Sequence, residues 1–253
     1  MSSITLLALD TSTEFCSVAL YRHNPASGAP ALVLERHLDT GPVSSTHILP
    51  AVREVLRDAD VALAECDAIA FGAGPGSFTG LRTACGVAQG LAFGAKLPVV
   101  PVGTLLACAE AARALRVDTQ RVLVALDARM NEAYWADYAW DVTAGDWREV
   151  QPPSLDAAEQ VRAPDAAFVV AGNAVLAFGD RLQASVQAQA VLTDAMPRAR
   201  YVAALAARAF QRGEAIPADH AMPVYIRNKV AQTTAEREAI KQAAAQSGGK
   251  EAS

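Results

Sequence analysis

Residues 6–21 read "LLALDTSTEFCSVALY", and residues 123–138 read "LVALDARMNEAYWADY". Shifted by 117 positions, Ala8-Leu9-Asp10 falls on Ala125-Leu126-Asp127, and Ala19 and Tyr21 fall on Ala136 and Tyr138. Each stretch is an apolar run, a polar turn opening with Asp, and a second apolar run, the pattern of a β-hairpin. Similarity within one chain at one fixed offset points to a duplication. Two halves are expected, each opening on a hairpin.

Outward from the first hairpin, "PALVLERHL" reads as a third strand and a helix begins near Ser44. Ile48, Leu49, Val52, Val55, Leu56 and Ala59 share one face at helical spacing, with Ser45 or Thr46 as cap and Pro50 assigned to the first turn. "CDAIAFGAG" is a buried strand, Thr79 to Gly94 a helix, "LPVVPV" an extended segment, and Leu105 to Leu115 a third helix. The second half has its hairpin from Val122, the short strand "AFVVAG" and a helix from Tyr201 to Gln211. Strands followed by helices in both halves imply an α/β fold of two mixed sheets flanked by helices. The boundaries are 1–105 for the first unit, 106–231 for the second, and 232–253 for a polar tail expected to fray in solvent.

In a chain of 253 residues, 52% apolar and 19% charged, a sizeable core is affordable and wholesale disorder is excluded. With 22 basic against 27 acidic residues the net charge is −5, which argues against gripping nucleic acid alone through a broad basic face. "IRNKV", with Arg227 and Lys229, is too short to alter that and reads as two solvated charges. Cys16, Cys66, Cys85 and Cys108 have no regular spacing and read as buried reduced thiols. "MSSITLLALD" lacks a basic n-region and meets Asp10 too early for a signal peptide. Thr83 to Ala109 carries a single charge, Lys96, but glycines and prolines punctuate it. A cytoplasmic location is expected.

"AFGAGPGSFTGLR", residues 70–82, invites three mechanical readings, and each fails. A P-loop needs Lys-Ser/Thr after its last glycine, where Leu81-Arg82 stand. The dinucleotide fingerprint needs glycine at Ser77, and a nucleophile elbow needs it at Pro75 and Thr79. What remains is a tight turn with Ser77 or Thr79 capping the next helix, a capped turn being favoured over an anion site. In that helix Gly86, Gly90 and Gly94 recur every four residues, each costing about 1 kcal/mol against alanine. The bare stripe suits close approach of another backbone, either inside the fold or from a helix of another chain.

His23, His37, His47 and His220 permit no H-x-x-x-H, so no helical metal site and no metal is expected. His47, near a helix start, reads as a surface or capping residue, and no catalytic residue is indicated. Asp10 and Asp127 end their strands without the glycines that let backbone approach phosphate. Asp10, Thr11, Ser12 and Asp127 are weak nucleotide candidates, with turn capping the better reading for both aspartates.

Five segments occur in order: "LLALDTSTEFCSVAL", "SSTHILPAVREVL", "GPGSFTGLRTACGVAQGLA", "ALDARMNEAYWADY" and "PVYIRNKVA". Together the chain resembles the TsaB (YeaZ) family over roughly residues 1–230, the GPGSFTGLR segment being the most specific. The resemblance implies the duplicated fold of actin, sugar kinases and heat-shock ATPases, which is ribonuclease H-like. It also implies a role in making threonylcarbamoyladenosine beside the anticodon of tRNA. In that pathway TsaC makes threonylcarbamoyl-adenylate, the paralogue TsaD transfers the group, TsaB binds TsaD, and TsaE supplies an ATPase. TsaD holds metal partly through an H-x-x-x-H helix, whereas the comparable "TLLACAEAARAL" here has no histidine.

The resemblance therefore implies a non-catalytic scaffold with no cofactor of its own, nucleotide at the TsaD junction remaining open. The expected partners are a TsaD-type subunit, a TsaE-type ATPase and, in their absence, a second copy of the chain, with tRNA touched only indirectly. The partner face would lie on the two helices of the first half, through His47, Ile48, Val52, Leu56, Thr79, Arg82, Thr83, Gly86, Val87, Gly90 and Gly94. The competing expectation is an independent ATP-dependent kinase of the same fold, or the peptidase activity once attached to the family by name.

Overall fold

The computed structural model describes residues 3–227, and the polar tail of residues 232–253 lies outside them. Two mixed five-stranded sheets are built in succession. The first contains β1 (Ile4–Asp10), β2 (Phe15–His23), β3 (Leu32–Asp39), β4 (Ala68–Gly74) and β5 (Val99–Gly103), in the order β3-β2-β1-β4-β5. The second contains β6 (Arg121–Asp127), β7 (Glu132–Asp141), β8 (Asp146–Ala157), β9 (Val169–Ala171) and β10 (Val191–Leu192), in the order β8-β7-β6-β9-β10. In each, three antiparallel strands are followed by two that run parallel to the first. The chain takes the same path twice, as the repeated hairpin implied.

The hairpins match with one adjustment. Ala8 faces Ala19 and Val124 faces Ala136, so the offset of 117 that relates Ala19 to Ala136 becomes 116 for their partners. Leu6, Ala8 and Ala19 lie in the inner core of the first sheet, and Val122, Val124 and Ala136 in that of the second. The shared Ala-Leu-Asp is thus one residue out of phase. Because strand side chains alternate, Asp10 and Asp127 end their strands on opposite faces and are not equivalents.

Helices α1 (Ser44–Asp58) and α2 (Phe78–Ala95) cover the outer face of the first sheet, packing Ile48, Val55, Ala84 and Ala88 against Leu7, Leu9 and Phe71. The short α4 (Ala174–Phe178) covers the outer face of the second. Between the sheets lie α3 (Thr104–Leu115) and α5 (Ala199–Gln211), and they are exchanged. The last helix of the second half, α5, packs on β1, β2 and β4, while α3 of the first half packs on β6 and β7. Alanines make this possible: Ala107, Ala111 and Ala112 of α3 and Ala199, Ala203 and Ala206 of α5 are fully buried, so backbone can lie close to sheet.

Polar contacts anchor the exchanged helices. Buried Glu35 of β3 accepts from Arg198 (2.6 Å) and from the Arg200 N–H (3.2 Å), and Ser17 Oγ accepts from the Ala199 N–H at the start of α5 (2.9 Å). Further along α5, the Arg208 guanidinium donates to both Glu110 oxygens (3.0 and 2.8 Å) and to Asp146 (3.0 Å), joining α5, α3 and β8.

Several local expectations change. Val43, not Ser45 or Thr46, stands at the N-cap of α1 with no side-chain cap, and Thr46 Oγ1 donates back to the Val43 carbonyl (2.8 Å). Pro50 is in the second turn, where it leaves the Thr46 carbonyl without its helical donor. Leu49, assigned to the buried face, is 46% exposed. Strand β8 was not anticipated because Pro152 and Pro153 interrupt its pattern; as an edge strand it tolerates them. A boundary after residue 105 cuts α3 near its start, whereas the repeat unit runs through Leu115. No helix among the described residues is long and apolar enough to cross a membrane.

Since each sheet is sealed by a helix of the other half, the halves should unfold together. Ala203→Leu, at a fully buried site, is expected to cost about 1–3 kcal/mol, lowering the urea midpoint while leaving a single transition by both circular dichroism and tryptophan fluorescence.

Candidate functional site

The glycine-rich segment is packing machinery for the turn of the first hairpin. A Cβ on Gly72 would overlap the Asp10 carboxylate, one on Gly76 would meet the Ser12 carbonyl oxygen at 2.5 Å, and one on Gly80 would overlap the Thr11 carbonyl. Hydrogen bonds seal this approach: Ser77 N–H donates to the Ser12 carbonyl (2.8 Å), and Thr11 Oγ1 donates to the Gly80 carbonyl (2.6 Å). Ser77 is the cap of α2, its Oγ accepting from the Gly80 N–H (3.4 Å), and Thr79 already lies inside the helix. The spacing 72, 76, 80 was visible in the sequence, but nothing there names the turn it meets.

Asp10 points into the interior. Its Oδ1 accepts from the Ser12 N–H (3.1 Å) and Oγ (2.8 Å), while its Oδ2 is buried without a partner. Burial pushes its carboxyl up to about 6. Thr11 is fully buried beside it. Of the four weak nucleotide candidates, Asp10 and Thr11 are therefore inward-facing, and only Ser12 and Asp127 line the space between the halves. The carboxylate of Asp127 accepts from the Arg129 N–H (2.8 Å) and pairs with the Arg129 side chain (3.2 Å).

That space is a cleft of about 560 Å³. Its walls are the turn at Ser12–Glu14, the start of α2 at Ser77 and Phe78, the second hairpin turn at Asp127–Met130, and the segment Val224–Arg227. In the second turn Arg129, Met130 and Asn131 all have positive φ (64°, 56° and 61°), a left-handed run that L-residues adopt only at a cost. Among the described residues, no group of three or more His, Cys, Asp or Glu is arranged to hold a metal ion. All four cysteines are free and buried, and burial pushes the thiols of Cys16 and Cys66 to about 11.

The second candidate surface is the outer side of α1 and α2, helices that pack beside one another. Gly86, Gly90 and Gly94 are exposed, and a Cβ at any of them would meet nothing within 4 Å. Among the described residues, no neighbour explains this stripe. Phe93, on the same helix, is 80% exposed. His47, Thr79 and Arg82 are exposed as well, with Thr83, Val87 and Leu56 half-buried. Ile48 and Val52 must be removed from the candidate face: they are buried in the core beneath α1, packed on their own sheet. Leu49, one residue on, takes the outward position.

Comparison with known proteins adds the following. The family model described as TsaD, tRNA N6-adenosine threonylcarbamoyltransferase, matches residues 42–235. The Haemophilus influenzae tRNA threonylcarbamoyladenosine biosynthesis protein TsaB is 38% identical over 239 residues, covering 91% of this chain and 96% of that protein. Its Escherichia coli namesake is 37% identical over 234 residues, covering 89% and 96%. The solved structure of YeaZ from Pseudomonas aeruginosa superposes with a TM-score of 0.78 at 39% identity, covering 89% of this chain and all of that one.

Two outcomes follow from this geometry. Gly80→Ala drives a methyl into the Thr11 carbonyl and is expected to lose about 3 kcal/mol or more, seen as a drop in thermal midpoint. For Asp10, the unfolded chain releases the proton near 3.8 and the folded chain near 6. Between those values the unfolded state binds fewer protons, so stability falls as pH rises. Asp10→Asn, which keeps an acceptor for Ser12, should therefore be more stable than the parent at pH 7 by up to about 3 kcal/mol, the gap closing below pH 4 in urea titrations.

Proposed function

We propose that this chain, which belongs to the TsaB family of tRNA threonylcarbamoyladenosine biosynthesis proteins, is a non-catalytic subunit that docks on a TsaD-type transferase through the outer face of α1 and α2. Membership gives the pathway; the docking and the lack of chemistry of its own are the proposal. The observation that carries it is the stripe of Gly86, Gly90 and Gly94, exposed and, among the described residues, with nothing packed against it. Three glycines inside an exposed helix cost about 1 kcal/mol each in the free chain. A partner helix laid against the stripe recovers that cost by coming closer than side chains would allow. Leu49 and Phe93 supply exposed apolar surface on the same two helices.

The non-catalytic reading is supported by what the aspartates are doing. Asp10 is turned inward under Gly72, and Asp127 is occupied by its own turn and Arg129. Neither carboxylate is presented to the cleft as a free base. On this reading the same face pairs with a second copy of the chain when no transferase is present, a TsaE-type ATPase joins the assembled pair, and any nucleotide sits at the junction with the transferase. Contact with tRNA is indirect.

The test is co-purification with TsaD and reconstituted tRNA modification. Gly90→Leu is expected to leave the thermal midpoint of the isolated chain unchanged or higher, to abolish the complex, and to remove the stimulation of modification. Gly90→Ala is expected to stabilise the isolated chain by up to about 1 kcal/mol and to weaken the complex less. Undiminished complex with Gly90→Leu overturns the assignment of the face.

A further inference from the structure

The segment "PVYIR" near the end of the described chain has no part in the proposed docking, yet its contacts span the molecule. Beginning on the first half, the Ala221 carbonyl accepts from Gln89 Nε2 of α2 (2.9 Å), and the Val224 N–H donates to the Ala73 carbonyl at the end of β4 (2.7 Å). The Val224 carbonyl lies where a Cβ on Gly74 would come within 2.6 Å, so this glycine is the seat of the segment. Tyr225 then packs its ring at a tilt against Phe78 (5.4 Å between rings), and its hydroxyl accepts from Arg82 Nε (3.0 Å), whose guanidinium lies 3.8 Å over the Phe78 ring. Two residues later the chain has crossed the cleft. Arg227 donates to the Ala128 carbonyl (3.0 Å), to Glu132 (2.6 Å) and to Met130 Sδ (2.9 Å), gripping the left-handed turn of the second half.

We infer that residues 221–227 form a clasp that holds the mouth of the cleft closed, with Arg227 as the positioning residue that keeps the strained 129–131 turn in place. The fulcrum is the pair of exchanged helices, which fixes the halves at the far side of the sheets and leaves the cleft side free to hinge. The Arg227 contacts supply what a left-handed run lacks, since one guanidinium satisfies a carbonyl and a carboxylate on either side of it. Arg82 and Phe78 lie on the first turns of α2, so the clasp also ties the cleft to the helix read above as the docking face. That last link rests on the proposed function; the clasp itself does not.

The test measures the gap directly in the full chain without a partner. Spin labels at Glu14→Cys, on the first hairpin turn, and Leu176→Cys, 74% exposed on α4, report the distance between the halves by pulsed electron spin resonance. The four native cysteines are buried, and the unsubstituted chain carried through the same labelling is the control for them. Arg227→Ala and Tyr225→Ala are each expected to broaden the distribution and lengthen its mean by several ångström while circular dichroism stays that of a folded chain. Tyr225 is 41% exposed, so its variant decides the matter should Arg227→Ala not fold. Distributions superimposable on the parent's overturn the clasp, whatever the outcome of the docking experiment; a widened cleft with normal TsaD binding keeps the clasp and removes only its link to the docking face.

Discussion

The two sheets share inner faces that α3 and α5 cover between them, each helix packing chiefly on the sheet of the other half. The rest of the arrangement depends on this exchange. It requires helices thin enough to lie between two sheets, hence the run of buried alanines along α3 and α5. It requires polar anchors that keep a smooth helix from sliding, hence Glu35 under the start of α5 and the Arg208–Glu110–Asp146 fork farther along. With the inner faces locked, the hairpin turns of both halves converge on one opening, and the cleft arises at that convergence.

Glycine has two opposed uses in this molecule. At 72, 76 and 80 a side chain would collide with the turn at Asp10–Ser12, so absence of Cβ is a condition of folding. At 86, 90 and 94, farther along α2, a side chain would meet none of the described residues. The first set answers to the interior and the second does not, although both recur at intervals of four. Among the described residues nothing offsets the roughly 1 kcal/mol forgone at each of those three positions, and the proposed docking rests on that helix rather than on the cleft.

Much of the architecture was legible because strand and helix periods survive in short stretches: the hairpins, α1, α2, α3 and α5 were all placed from apolar spacing. What failed did so for physical reasons. The Ala-Leu-Asp repeat misled by one residue because identity of letters says nothing about which side of a pleat they occupy. Ile48 and Val52 were read as partner contacts because an apolar stripe has the same spacing whether it faces a sheet or a stranger. Strand β8 hid behind its prolines, and α4 and β10 were too short to show a period. The glycine stripe of α2 was readable as bare backbone, but its outward direction was not, since glycine declares the lack of a side chain and nothing of what lies opposite it. The clasp was quoted as a family segment and its Arg227 was read as a solvated charge, because its partners lie 95 to 151 residues away in sequence.

The exchange of helices bears on how the molecule is made. As the chain leaves the ribosome, the first sheet is complete once Gly103 has emerged, but the helix that shelters its inner side ends at Gln211. For the intervening hundred or so residues of translation, Leu6, Ala8 and Val100 lack the cover that α5 gives them. The nascent first half must remain loosely formed or be shielded by other factors until the second is nearly finished, so this protein matures late and all at once rather than half by half.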